Sequence, residues 1–258
     1  HDQSATGSTV FIEPVEVLEL NNRLRSATIE EQLEIEEIIR DLSHKVGLIA
    51  ERLYYDGELC EELDEFCARA EYAQKIKGVK PLVNDKGIID IRMGRHPLID
   101  AKKVVPVTLK FGDDCNYLLI TGPNTGGKTV TLKMVGLFSL MAMSGMYLPA
   151  APDTRVSVFD EVFCDVGDEQ SIEQNLSTFS SHIKNIVEIT SEANSKSLVL
   201  IDEIGAGTDP DEGAALAQAV LEKLLDERSF GIITTHYSRL KEYAYTDKRI
   251  KNASMEFD

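Results

Sequence analysis

The stretch GPNTGGKT, Gly122–Thr129, decides the reading of this 258-residue chain. An apolar run, NYLLITG, leads into it, and a helical pattern over about 127–144 follows. Strand, glycine-rich loop and helix in that order are the setting in which G-x-x-x-x-G-K-[ST] holds phosphate. Gly122, Gly126 and Gly127 let the backbone turn tightly and aim N–H groups at an anion, and the helix N-terminus adds favourable partial charge. Lys128 is spaced to reach the β- and γ-phosphates, and the Thr129 hydroxyl to ligate Mg²⁺. Pro123, Asn124, Thr125 and Val130 complete the candidate nucleotide-binding run. The competing reading is a glycine-rich turn that matches by chance, and the strand–helix context weighs against it.

LVLIDEIGAGTDPDEG, Leu198–Gly213, supplies a second part. Four apolar residues predict a buried strand with Asp202 at its carboxyl end, where open α/β sheets bind ligands. Asp202 is a candidate Mg²⁺ partner through water, and Glu203 a candidate general base for an attacking water. The bland alternative is a pair of solvated carboxylates at a strand end. In ITTHYSRL, His236 ends a further apolar strand, so it is either structural or a γ-phosphate contact that orients water. P-loop, Asp-Glu after four apolar residues, then His is the order of ABC-type ATPases. A P-loop kinase would want an acceptor-substrate base and a lid, and a RecA-type motor places its catalytic Glu on another strand.

QNLSTFSSHI, Gln174–Ile183, gathers small hydroxyls at the mouth of a helix expected over about 172–193. Ser177 and Thr178 there are either a plain N-cap, with Phe179 in the core, or a receptor for the γ-phosphate of a neighbouring chain's nucleotide.

Composition narrows the class. Hydrophobic content of 43% and charged content of 28% are those of a globular protein. No apolar run approaches the roughly 20 residues of a membrane helix. The start, HDQSATGSTV, reads as a cut into a longer chain rather than a signal peptide. Cys60, Cys67, Cys115 and Cys164 form no CxxC or zinc spacing, which predicts buried reduced thiols in a cytoplasmic protein. The net charge of −17 repels a phosphate backbone, and no basic, aromatic-interleaved stripe offsets it. Direct nucleic-acid binding by this segment is therefore disfavoured.

Along the chain, STVFIEP is β-like and a helical pattern starts near Glu16. Ile35, Ile38, Leu42, Ile49 and Leu53, then Leu59, Leu63, Phe66 and Ala70, recur at heptad-like spacing. They predict one long helix, or two in series, with Asp56-Gly57 as a kink or turn. Such a stripe needs a partner helix to cover it. Beyond Gly78–Pro81, strands alternate with helices, with FGIITTH as the last strand, which predicts an α/β fold around a mostly parallel sheet. The expected division is a helical segment over 1–77 and a nucleotide-binding domain over 78–258.

RHP (Arg95–Pro97), ITGPNTGGKT, LSTFSSHI, LVLIDEIGAGTDPDEGAALA and TTHYSRL together resemble the ATPase domain of the MutS family, within the ABC ATPase superfamily. Thr125 and GAGTDPDEG resemble its second bacterial branch, where the mismatch-repair branch has Met and DEIGRGTST. STVFIEPVEVLELNNRLR resembles the segment ahead of that branch's ATPase domain. The resemblance implies a Walker A loop at Gly122, Asn124, Gly127, Lys128 and Thr129, and Walker B at Asp202 and Glu203. It places a D-loop at Thr208 and Asp209, an H-loop at His236, and a signature acting in trans at Ser177, Thr178 and Phe179. Residues 15–77 resemble the lower end of the clamp levers. His96 resembles a residue at the nucleotide edge, although before Pro97 it reads equally as a turn histidine; Val104 and Val105 are placed beside the adenine.

The implied activity is Mg²⁺-dependent ATP hydrolysis by a head-to-tail homodimer. A non-hydrolysing ATP-dependent dimerisation switch is the alternative. In the family, a DNA-facing clamp and upper levers precede this region, and in the second branch a nuclease-like module follows it. DNA or a ribosome would be engaged through those regions.

Overall fold

Apolar runs too short for helices build two sheets in this chain, and longer amphipathic segments cover them. The computed structural model describes residues 14–122, 126–167 and 175–255, and of 175–179 the backbone only. The chain divides into two units, His1–Phe66 and Cys67–Asp258.

The first unit holds helix α1 (Val15–Gly47) and the start of α2 (Ala50–Lys75). Neither helix contains a buried residue. The heptad residues from Ile35 to Phe66 are 45–63% exposed, so the stripe is uncovered in the single chain. The interruption falls at Leu48–Ile49, directly after Gly47, and not at Asp56–Gly57, which α2 runs straight through. At the break the Ile49 N–H turns back to the Val46 carbonyl at 3.1 Å, a tightened last turn. A helix-interior glycine costs about 1 kcal/mol, too little by itself to end a helix. Cys60, Cys67 and Cys164 are exposed and only Cys115 is buried, so the expectation of buried thiols fails for three of four. For Cys60 and Cys67, helical spacing fixes that they share a face, not that anything covers it.

In the second unit, β4 (Tyr117–Thr121), β6 (Glu161–Asp165), β7 (Ser197–Ile201), β8 (Phe230–Thr235) and β9 (Ile250–Ser254) form a five-stranded sheet in the order β6-β7-β8-β4-β9. All its pairings are parallel. A second, mixed sheet joins β1 (Leu82–Asn84), β5 (Arg155–Ser157), β2 (Ile89–Gly94) and β3 (Val107–Phe111) in the order β1-β5-β2-β3. FGIITTH is not the last strand: β9 follows it, polar because it is an edge strand paired only to β4.

Alternation along β4 and β7 assigns each face a core. Leu118, Ile120, Leu198 and Leu200 face α3 (Lys128–Met143) and the mixed sheet, with Leu132, Val135, Phe138, Ile91 and Phe111 in the same cluster. Tyr117, Leu119, Val199 and Ile201 face the other way, onto α4 (Asn175–Glu192), α5 (Pro210–Asp226) and α6 (Ser238–Thr246). Both faces are buried, as parallel sheets require, which explains the continuous apolar runs. Tyr72 and Ile76, at the end of α2, pack on the first cluster.

Gly231 in β8 lies so close to its neighbours that an added Cβ would sit 2.1 Å from the Val199 carbonyl oxygen and 2.7 Å from the Tyr117 ring. Gly231→Ala should therefore lower stability by about 1–3 kcal/mol or more. Urea unfolding would show this as a lower midpoint at unchanged slope, and an unshifted midpoint would refute the tight packing.

Candidate functional site

Parallel strands put their carboxyl ends on one edge, and β8 lies between β7 and β4. The register pairs Thr121 with Thr235 and Ile201 with Ile233. Gly122, Asp202, Glu203 and His236, each just beyond a strand end, therefore share that edge.

Lys128 and Thr129 begin α3. Lys128 is only 1% exposed, and its ammonium donates to the Gly122 carbonyl at 2.6 Å, a loop-spanning contact that answers part of the cost of burying the charge. The helix is capped by Gly127, whose φ of 77° is left-handed and which has no side chain to offer the terminal N–H groups, and there is no acid in the first turn. The start of α5, which follows predicted residues Thr208 and Asp209, is closed by its own chemistry. Asp209 caps α5 by accepting from the Asp211 N–H at 3.0 Å and the Glu212 N–H at 3.5 Å, with Asp211 and Glu212 in its first turn. The start of α3 is thus the more receptive to an anion.

The Thr129 hydroxyl donates to one Asp202 carboxylate oxygen. The other accepts from the Thr234 hydroxyl at 2.5 Å. Thr234 Oγ1 in turn accepts the Glu203 N–H at 2.7 Å, and its carbonyl takes the Ile204 N–H at 3.2 Å. Thr234 is fully buried. This residue was missed by sequence reasoning: within FGIITTH it looks like any β-branched strand residue, and only the β7–β8 register shows that it meets Asp202.

Glu203 adopts φ 49°, a region few non-glycine residues enter. The Thr234 bond and the Ala206 N–H to Glu203 carbonyl contact at 3.0 Å brace this turn. His236 is exposed, with its ring 4.4 Å from that of Tyr237 at 45°. Tyr237 donates to the Gly205 carbonyl at 2.7 Å, tying the turn after β8 to the turn after β7. Burial, then the Asp209 and Glu203 carboxylates, raise the Tyr237 phenol above its ordinary value and keep it a donor.

Thr129, Asp202 and Glu203 are thus assembled around Thr234, with Lys128 next to Thr129 in the chain and bonded to Gly122, and His236 on the same edge. Other predicted residues are not joined to this set by any contact described. Thr208 donates to Glu212 Oε2 at 3.4 Å, and Asp209 caps α5. His96 follows β2, and its Nδ1 accepts the Leu98 N–H at 3.3 Å, the arrangement of a turn histidine. Burial and then the charge of Lys133, on α3, hold its imidazole below the ordinary value. Val104 is half-buried and Val105 is 77% exposed. Gly126 is buried, and Val130 is 38% exposed on α3. Pro123, Asn124 and Thr125 lie outside the described residues, as do the side chains of Ser177, Thr178 and Phe179.

Among the described residues no group of three or more His, Cys, Asp and Glu side chains could cage a metal. The Thr129 hydroxyl facing the Asp202 carboxylate nevertheless fits Mg²⁺, which takes one or two hard protein oxygens and fills its shell with water and phosphate.

The fold and edge define an α/β protein with hydroxyl, carboxylate and ammonium groups gathered at the carboxyl ends of a parallel sheet. Residues 118–258 match the family described as MutS domain V. The whole chain is 54% identical over 258 residues to Endonuclease MutS2 of Shouchella clausii (strain KSM-K16), and equally to those of Caldanaerobacter subterraneus subsp. tengcongensis and Clostridium botulinum (strain ATCC 19397 / Type A). The chain belongs to the MutS family and is of the MutS2 type. It covers all of itself but 33% of each of these relatives.

Thr234→Val should remove both hydroxyl contacts and leave the Glu203 N–H without its acceptor. The expected loss is about 1–3 kcal/mol, with Thr234→Ser close to the parent. Thermal unfolding of the two variants checks this, and equal stability of both would show that the hydroxyl does not hold the edge.

Proposed function

We propose that this chain is an ATP-binding and ATP-hydrolysing domain of ABC type, working as a nucleotide-gated homodimer. The observation that carries the reading is Lys128 and Thr129 at a glycine-capped helix start, with Thr129 bonded to the Asp202 carboxylate across the β4–β8–β7 edge. In this reading residues 1–77 are the lower lever segment and 78–258 the ATPase domain.

Glycines 122, 126 and 127, with Pro123–Thr125, cradle the phosphates. Lys128 exchanges its bond to the Gly122 carbonyl for β- and γ-phosphate oxygens. Thr129 and Asp202 would hold Mg²⁺, which when bound neutralises charge developing on the phosphate oxygens. Glu203, aimed by its braced left-handed turn, orients water for in-line attack and takes its proton. His236, exposed on the same edge, contacts the γ-phosphate. His96, Val104 and Val105 flank the nucleoside side.

Ser177, Thr178 and Phe179 read the γ-phosphate of a second copy's ATP, with Thr208 and Asp209 nearby at the interface. The first turn of α4 carries no acid, which suits an anion. Closure around two nucleotides would be transmitted to the lever helices. A ligand shifts such an equilibrium only by its differential affinity for the two states. Action on DNA or on a ribosome is assigned to parts of the protein beyond this chain. Among the described residues no helix is long and apolar enough to cross a membrane, and we place the protein in the cytoplasm.

Glu203→Gln should bind ATP like the parent while turnover falls by about 10²–10³-fold. Phosphate release together with nucleotide binding tests this: parent-like turnover would remove Glu203 from the chemistry and favour a non-hydrolysing switch. Ser177→Arg should spare ATP binding but abolish ATP-dependent dimerisation and turnover, as read by mass in solution with ATP and Mg²⁺. Unchanged turnover would reduce that stretch to a helix cap.

A further inference from the structure

Asp165 ends β6, the strand beside β7, and is 3% exposed. Its backbone carbonyl accepts the Asp202 N–H at 2.9 Å, which ties it to the turn that carries the site carboxylate. Its side chain points elsewhere, onto α4. His182 Nδ1 lies 2.9 Å from Oδ2 and 3.1 Å from Oδ1, and Asn185 Nδ2 donates to Oδ1 at 3.2 Å. A carboxylate can only accept, so Nδ1 is the donor. His182 and Asn185 stand three apart, on one face of the helix, and grip one carboxylate together. Gly167 makes room for the ring: a Cβ there would lie 2.8 Å from His182 Cε1 and Nε2. A nearly buried carboxylate with donors from a single helix is a rigid link, because breaking either bond leaves a charge unanswered.

We propose that Asp165, His182 and Asn185 are positioning residues that lock α4 to the parallel sheet, so that the first turn of α4 is presented in fixed geometry to a second copy of the chain. None of the three touches nucleotide. Ser177 lies five residues before His182 on the same helix, so rotation or sliding of α4 at the link displaces that turn. Small displacements of a positioned group cost up to about 10²-fold in rate. The inference rests on the composite-dimer reading above. It adds that the defect from a broken link is exported to the partner's site while the chain's own ATP binding stays intact.

The test uses the full-length protein. His182→Leu should lose about tenfold or more in turnover, with ATP affinity near the parent and a lowered melting temperature, because the Asp165 carboxylate loses a donor. His182→Asn places an amide donor near the Nδ1 position and should restore most of the turnover. Each variant is then mixed with Lys128→Ala, which has a failed P-loop but an intact α4. A mixed dimer of His182→Leu and Lys128→Ala contains one whole composite site, so the mixture should hydrolyse ATP several-fold faster than either variant alone. Ser177→Arg mixed with Lys128→Ala is the control for the composite reading. Recovery in both mixtures supports the link. Recovery in the Ser177→Arg mixture alone overturns it, since the His182 defect would then lie in its own site. Recovery in neither overturns the composite dimer and the link with it. Parent-like turnover of His182→Leu also overturns the link.

Discussion

The Asp202 carboxylate is the constraint on which the edge of the sheet depends. It accepts one hydroxyl from the start of α3 and one from β8, so α3, β8 and the end of β7 are pinned at a single group. Such a carboxylate can sit at the end of a fully buried strand only because its oxygens are answered. The pinning also determines what lies beside it. Thr234 is shared between Asp202 and the Glu203 N–H, so the left-handed turn at Glu203 and the position of the carboxylate are not independent. Strained backbone of this kind persists where its surroundings over-determine it, which a parallel sheet buried on both faces does.

Much of this was legible in the sequence because its determinants are local. Glycines, a lysine and a threonine at fixed spacing between an apolar strand and a helix place Lys128 and Thr129 without reference to the rest of the chain. Four apolar residues ahead of Asp202 define β7, and α3 and α4 fall within three residues of their expected bounds where the chain is described. The features that escaped are those that depend on strand order. β9 is polar and gains its strand character from pairing with β4. Thr234 acquires its role from lying opposite Asp202. Asp165, His182 and Asn185 are ordinary polar residues until β6 is set beside β7 and α4 is laid over them.

The helical segment failed in a different way. Periodicity correctly gave long helices with an apolar stripe, but it could not say where the break falls. A single interior glycine is a weak penalty, and Gly57 is carried through while the turn after Gly47 is not. Nor does a shared face imply a covered one. Leu42, Leu53 and Leu63 are exposed in the single chain, and so are Cys60 and Cys67. A stripe of this length exposed to water is unfavourable at roughly 25 cal/mol per Å², so its stability is tied to whatever covers it.

The two kinds of helix start on the carboxyl edge divide the labour of the site. Asp209 and the acids after it satisfy the first turn of α5 from within, which makes that end rigid and repels anions. The start of α3 has a glycine as its cap and no acid in its first turn, so it suits an anion better than the start of α5 does. Holding such an end in place needs side-chain contacts between the helix and the sheet. For α3 these are the Thr129 bond to Asp202 and the apolar face seated between two sheets. α4 also lacks an acid in its first turn, and the corresponding anchor is the grip of His182 and Asn185 on Asp165, one to two turns further along. Both helices are thus fixed to the sheet by a carboxylate, α3 at its second residue and α4 beyond its first turn.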